Sequence, residues 1–127
     1  MKGLSDGNLM RLWRKAVLKK NMNRCFICGN TDTDIIDCHH IVKRRHKILR
    51  YDFRNGVPVC RIGCHNRLDS IAGLKMLESM RPFDIIHVKE FENMTYKDYL
   101  QKHEMTNTEF LQQKKKELED IIKYEYN

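Results

Sequence analysis

Two cysteine pairs constrain this chain more than anything else in it: Cys25-Phe-Ile-Cys28 and Cys60-Arg-Ile-Gly-Cys64. Two residues between thiols let both sulfurs face one ion, and Gly29, directly after the first pair, offers the sharp turn such a knuckle needs. The second pair is one residue wider, still within the spacing of structural zinc sites. The chain has five cysteines, an odd number, and no disulfide-dense spacing. A thioredoxin-like redox pair belongs at a helix start after a strand in a βαβ unit, a pattern this sequence lacks. Cys25, Cys28, Cys60 and Cys64 are therefore expected to close on a structural Zn2+. At 127 residues the chain has room for one ordinary domain around that ion.

Between and just after the pairs lie polar residues that a zinc module does not require. Ile35-Ile36-Asp37-Cys38-His39-His40-Ile41-Val42 reads as a short strand, with Cys38 and His40 on one face and His39 on the other. Asn55-Gly56 is a turn signal, and Val57-Pro58-Val59 a second strand, with Pro58 marking an edge or an end. From Cys64 a helix is expected, carrying Leu68, Ile71, Ala72 and Met76 at helical spacing, with Gly73 a possible break. His65 and Asp69 share a face of that helix. Cys38 is a rival zinc ligand or, as expected here, a buried free thiol. His46 is read as a substrate contact or a solvated side chain, and His87 and His103 as structural or exposed.

The net charge of +7 is concentrated in residues 1–24 and 38–67, while the remainder leans acidic. Residues 43–54 alone hold six cations against a single acid, Asp52. A phosphate backbone is the natural partner of such a surface, because each neutralised phosphate releases condensed counterions. No apolar leader-like segment opens the chain and no stretch approaches the length needed to span a bilayer, so no membrane partner is expected. A reducing, cytoplasmic setting fits the cysteine usage.

The flanks read as helical. Ser5 or Asp6 can cap a helix over 5–20, with Leu9, Trp13, Ala16, Val17 and Lys20 along one side. Trp13 is expected in the core, although an indole can also stack on a base. Residues 83–91 are rich in β-formers and read as an extra strand. Thr95 opens a capped helix, and Thr106 to Glu109 is a full capping box. The helix from 107 to about 124 carries Leu111, Leu118, Ile121 and Ile122 on a stripe suited to docking or dimerisation, with Lys114 to Lys116 on its exposed face. The expected division is a basic helical arm over 1–24, a metal-bearing core over 25–80 and a helical extension over 81–127.

The set Asp37-Cys38-His39-His40-Ile41-Val42, Asn55 and Cys64-His65 with Asp69 resembles the HNH endonuclease signature. Over residues 24–72 the chain is similar to its ββα-metal fold with an added four-cysteine zinc site. The resemblance implies an α+β protein with a small ββα-metal core, flanked by an N-terminal helix and C-terminal helices. It implies His40 as general base, His39 and His65 as ligands of a catalytic divalent metal, and Asp69 at a third-ligand position. It assigns Asn55 the task of holding the base strand across the loop. The implied activity is hydrolysis of DNA phosphodiester bonds to 5′-phosphate and 3′-hydroxyl ends, in a bacterial or phage-infected cell. Independently, an imidazole can take a proton from water at neutral pH. Mg2+ or Mn2+, with Ni2+ or Zn2+ also possible, can act as Lewis acid. Arg44, Arg45, Arg50 and Arg54 are candidate phosphate contacts among which the sequence does not choose.

Two other readings stay open. A structure-selective Holliday-junction resolvase would act as a homodimer through the 107–124 helix, whereas the first reading admits a monomer. A non-catalytic zinc-dependent nucleic-acid-binding module needs the cysteines but leaves the His39, His40, Asn55 and His65 set without a purpose.

Overall fold

The structure, a computed structural model, describes residues 3–68 and 70–124. Among them are six α-helices and one two-stranded antiparallel sheet, an α+β architecture. In chain order these are α1 (Asp6–Lys20), β1 (Ile36–His40), β2 (Gly56–Cys60), α2 (Cys64–Leu68), α3 (Ile71–Met80), α4 (Pro82–Glu92), α5 (Tyr96–Lys102) and α6 (Asn107–Lys123). No helix among the described residues is long and apolar enough to cross a membrane.

The caps read from the sequence are present. The side chains of Ser5, Thr95 and Thr106 accept hydrogen bonds from the backbone N–H groups of Asn8, Asp98 and Glu109, and Glu109 completes the box by accepting from Thr106 N. The buried side of α1 holds Leu9, Leu12, Trp13, Ala16, Val17 and Leu18. Lys20 is exposed instead, its ammonium 5.4 Å from the Phe53 ring centre.

β1 and β2 pair in the register Ile36–Cys60, Cys38–Pro58 and His40–Gly56. Pro58 carries no N–H, and its carbonyl accepts from Phe26 N of the first knuckle at 2.7 Å. The strands run next to α1, which lies close enough at Gly56 to leave no space for a side chain. A Cβ there would stand 2.4 Å from Val17 Cγ2 and 2.8 Å from Trp13 Cζ2. Gly56→Ala is expected to destabilise the protein by about 1–3 kcal/mol through overpacking, read as a lowered thermal midpoint. An unchanged midpoint would mean that α1 can shift freely on the sheet.

Two apolar clusters result. One gathers Leu18, Ile36, Val57, Val59, Leu68, Leu77 and Ile85 around Cys25, Cys60 and Cys64. The other gathers Leu9, Leu12, Trp13, Ala16, Val17 and Tyr51 against Leu118 of α6, with Leu111, Ile121 and Ile122 at its margin. The stripe of α6 is thus taken up by α1, from the opposite end of the chain.

Three local expectations change. Residues 83–91 lie in a helix, α4, with Pro82 at its first turn, where a missing N–H costs nothing. Its β-rich composition misleads because Ile85 and Val88 pack inward from helical spacing. The helix after Cys64 breaks before Ser70, whose side chain caps α3 at Gly73 N, rather than at Gly73. Gly73 sits inside α3 because a Cβ would meet the Arg67 carbonyl oxygen at 2.0 Å. Lys114 is buried rather than exposed: it lies over the Phe110 ring and bonds to Glu117.

Candidate functional site

The first knuckle forms as its spacing implies. Gly29 takes φ of 76° and closes the turn onto Cys25 O, and Cys25 N bonds to Asn30 O. Gly63, at φ of 88°, gives the wider second pair its own turn before Cys64 opens α2. One ligand atom from each of Cys25, Cys28, Cys60 and Cys64 then lies within 4.8 Å of the other three, and Cys28 Sγ and Cys60 Sγ are 3.5 Å apart. Four sulfurs at tetrahedral zinc–thiolate distance stand about 3.8 Å from one another, so these four residues can hold a metal such as zinc.

The electrostatics favour a cation there. Burial opposes ionisation of Cys25, yet the N–H groups of Ile27, Cys28 and Cys60 aim at its sulfur from 3.4, 3.5 and 3.4 Å and bring its pKa to about 6. Burial and the neighbouring sulfurs push Cys60 up to about 12. Mutual repulsion among crowded thiolates is what a divalent ion relieves. Cys38 is outside this group. It is half-buried, its sulfur faces Arg14 O at 3.8 Å, and burial raises its pKa to about 12.

The alternation of β1 separates the two histidines. His39 turns to α2, where its Nδ1 stands 3.0 Å from His65 Nε2, with the rings edge to face. At that distance one imidazole N–H donates to the other ring nitrogen, the tautomers setting which is the donor. Asp69, read as a further ligand, lies outside the described residues. His40 turns to α1 and stacks flat on Trp13, with ring centres 3.9 Å apart and planes 5° apart. Its Nε2 bonds to Arg50 O at 3.0 Å. With the proton on Nε2, Nδ1 keeps its lone pair. Burial lowers the His40 pKa from its ordinary value, opposed by the hydrogen bond to Arg50 O and reinforced by nearby Arg44, His39 and Arg50 charge.

Asn55 holds this strand in place. It is fully buried, accepts from Val42 N at 2.7 Å, and donates to Val42 O at 2.9 Å and Leu49 O at 3.1 Å. Its backbone carbonyl also accepts from Ile41 N. Asn55→Ala strands two carbonyls and one N–H in the interior, which costs on the order of 3 kcal/mol. Chemical denaturation should show it as a lower midpoint with the slope unchanged; a shift worth under about 1 kcal/mol would mean that the loop satisfies these groups without Asn55.

His40 and His65 line one open groove of about 340 Å3, together with Trp13, Arg14, Asp37 and Arg44. The four candidate arginines are not equivalent. Arg44 faces this groove and is bound by Asp6 at 2.7 Å. Arg50 donates to Arg44 O at 2.8 Å, and Tyr51 OH donates to the other Asp6 oxygen at 2.5 Å. Arg54 is engaged with the buried Asp52. Arg45 is exposed and lines a separate hollow with Lys43, His46 and Glu92. His46 Nε2 bonds to Glu92 O, and His103 packs on Tyr99.

Composition did not point to Trp13, Asp6 or Asp52 as supports of the groove. Asp52 anchors the loop from below. Its carbonyl accepts from Trp13 Nε1 at 2.8 Å, and its carboxylate from Arg54 and, at 2.6 Å, from His87 Nε2. Burial works to raise its pKa, but these bonds and the Lys114 charge outweigh it and hold the group far below the ordinary carboxylate range. The one signal in the sequence was its isolation as the only acid among the cations of residues 43–54.

No family model matches this chain, and no curated protein or solved structure matches it.

Proposed function

We propose that the protein is a metal-dependent endonuclease of the HNH type that hydrolyses phosphodiester bonds in DNA. The observation that carries this reading is one groove in which His40, stacked on Trp13, stands with His65, itself 3.0 Å from His39. On this reading the paired strands and α2 form the ββα-metal core, and Zn2+ on the four cysteines is structural. Mg2+ or Mn2+ held by His39 and His65 supplies Lewis-acid charge to the scissile phosphate when bound.

The chain's own residues perform the rest. His40 Nδ1 accepts a proton from the attacking water, while the Arg50 carbonyl and the Trp13 face keep the ring from turning. Arg44 offers its remaining N–H donors to a phosphate oxygen at the groove, oriented by Asp6. The cations of the loop and of α1 draw the polyanion to this side of the molecule. The water oxygen bonds to phosphorus as the bond to the 3′-oxygen breaks, and that oxygen takes a proton from solvent water, which leaves 5′-phosphate and 3′-hydroxyl ends.

The test is incubation with supercoiled plasmid in Mg2+ or Mn2+, comparing the unaltered protein with His40→Ala and measuring zinc in both. Conversion to nicked or linear DNA by the unaltered protein alone, with zinc retained in both, supports the proposal. Binding without cleavage of either plasmid or a four-way junction overturns it and favours the inert zinc module.

A further inference from the structure

The helix α4 is apolar on two sides. Ile85 and Val88 pack inward, and Phe83 and Ile86 point outward, 85% and 64% exposed. Adjoining α3 repeats the pattern: Leu77 is buried, whereas Ile71 and Leu74 are 75% and 48% exposed, with Met80 62% exposed at the junction. An ion pair between Glu78 of α3 and Lys89 of α4, at 3.5 Å, joins the two outer faces. Helical spacing places Ile71 and Leu74 with Glu78, and Ile86 next to both Phe83 and Lys89. Large apolar side chains standing together in solvent mark a contact surface, and the chain supplies nothing among its described residues to cover these.

We infer that the α3–α4 face is the surface through which two copies of this chain associate. At roughly 200 Å2 per large apolar side chain, the exposed fractions amount to on the order of 600 Å2. A standard interface takes about 800 Å2 from each partner, about two-thirds of it apolar at the core, so the patch has the size a dimer needs. The charge supports a second copy over a nucleic acid. Lys75 and Lys89 are balanced by Glu78 and Glu90, and a neutral face carrying both signs can be complementary to itself across a two-fold axis. The cation-rich segments that repel like copies lie elsewhere in the chain, in residues 1–24 and 38–67. The α6 stripe, which the sequence offered for dimerisation, is instead occupied by α1.

This inference does not rest on the nuclease reading, and its test involves no DNA. Light scattering on the eluting 127-residue, zinc-loaded chain, across about 1 to 100 μM, is expected to give a concentration-dependent mass approaching twice the chain mass of 15.3 kDa. Phe83→Glu with Ile86→Lys is expected to return the mass to that of a single chain, with far-UV circular dichroism and zinc content unchanged. Tyr124→Glu, at an exposed aromatic on another part of the surface, is expected to leave the dimer intact. A single-chain mass across the whole range overturns the proposal, as does a dimer indifferent to the α4 changes. Plasmid cleavage can succeed or fail in either case.

Discussion

Removing metal from the four-cysteine site is expected to unfold the half of the molecule that carries the groove. Cys25, Cys60 and Cys64 are members of the apolar cluster around the sheet, so that cluster is built around the sulfurs themselves. The strands Ile36–His40 and Gly56–Cys60 are five residues each, and a two-stranded sheet of that length is marginal without help. Structural zinc contributes on the order of 10 kcal/mol to folding in small modules, comparable with the whole stability of an ordinary domain. Without it, the crowded sulfurs either repel one another or protonate and leave a loosely closed site. The readout is Trp13, the only tryptophan, which is buried, bonded to Asp52 O and stacked on His40. A strong chelator, or Cys25→Ser, should shift its emission to longer wavelength and remove the cooperative thermal transition. If zinc falls to zero by elemental analysis while emission and melting stay unchanged, the site is not structural.

The second large effect is expected from His40→Ala, with initial rates of plasmid cleavage lowered by roughly 10²- to 10⁴-fold, the usual contribution of a positioned general base. The substitution also removes a stacked pair worth about 1 kcal/mol, so the protein should stay folded at room temperature. Retained zinc and an unchanged circular dichroism spectrum separate lost chemistry from lost fold. A rate within about threefold of the unaltered protein would remove His40 from the reaction and, with it, the proposed role of the groove.

Much of the fold that positions this groove follows from local pattern. The cysteine spacing, the glycine after Cys28, the caps at Ser5, Thr95 and Thr106, and the strand alternation of Cys38, His39 and His40 act over a few residues. The structure shows each of these features. Asn55 bonds across the loop to both the N–H and the carbonyl of Val42, in the place that the resemblance implied for it.

What the sequence alone determined is therefore the set of short-range devices: two knuckles, two short strands, and the alternation of the histidines along the first; their register, pairing Ile36 with Cys60, came from the structure. Tertiary structure decided the rest. Val88 and Ile85 favour a strand by composition, yet burial of both, Ile85 within the Cys64 cluster, made residues 82–92 a helix, because packing of a whole face outweighs propensities of a few tenths of a kcal/mol per residue. Lys114 was read as solvated and is buried, held among Phe110, Glu117 and the Asp52 carboxylate. Trp13 meets Asp52 across 39 residues, and Arg44 meets Asp6 across 38. Contacts at that separation leave no periodicity in the chain, and they exist only once the apolar clusters have closed, which is why the groove's supports emerged from the structure and its histidines from the sequence.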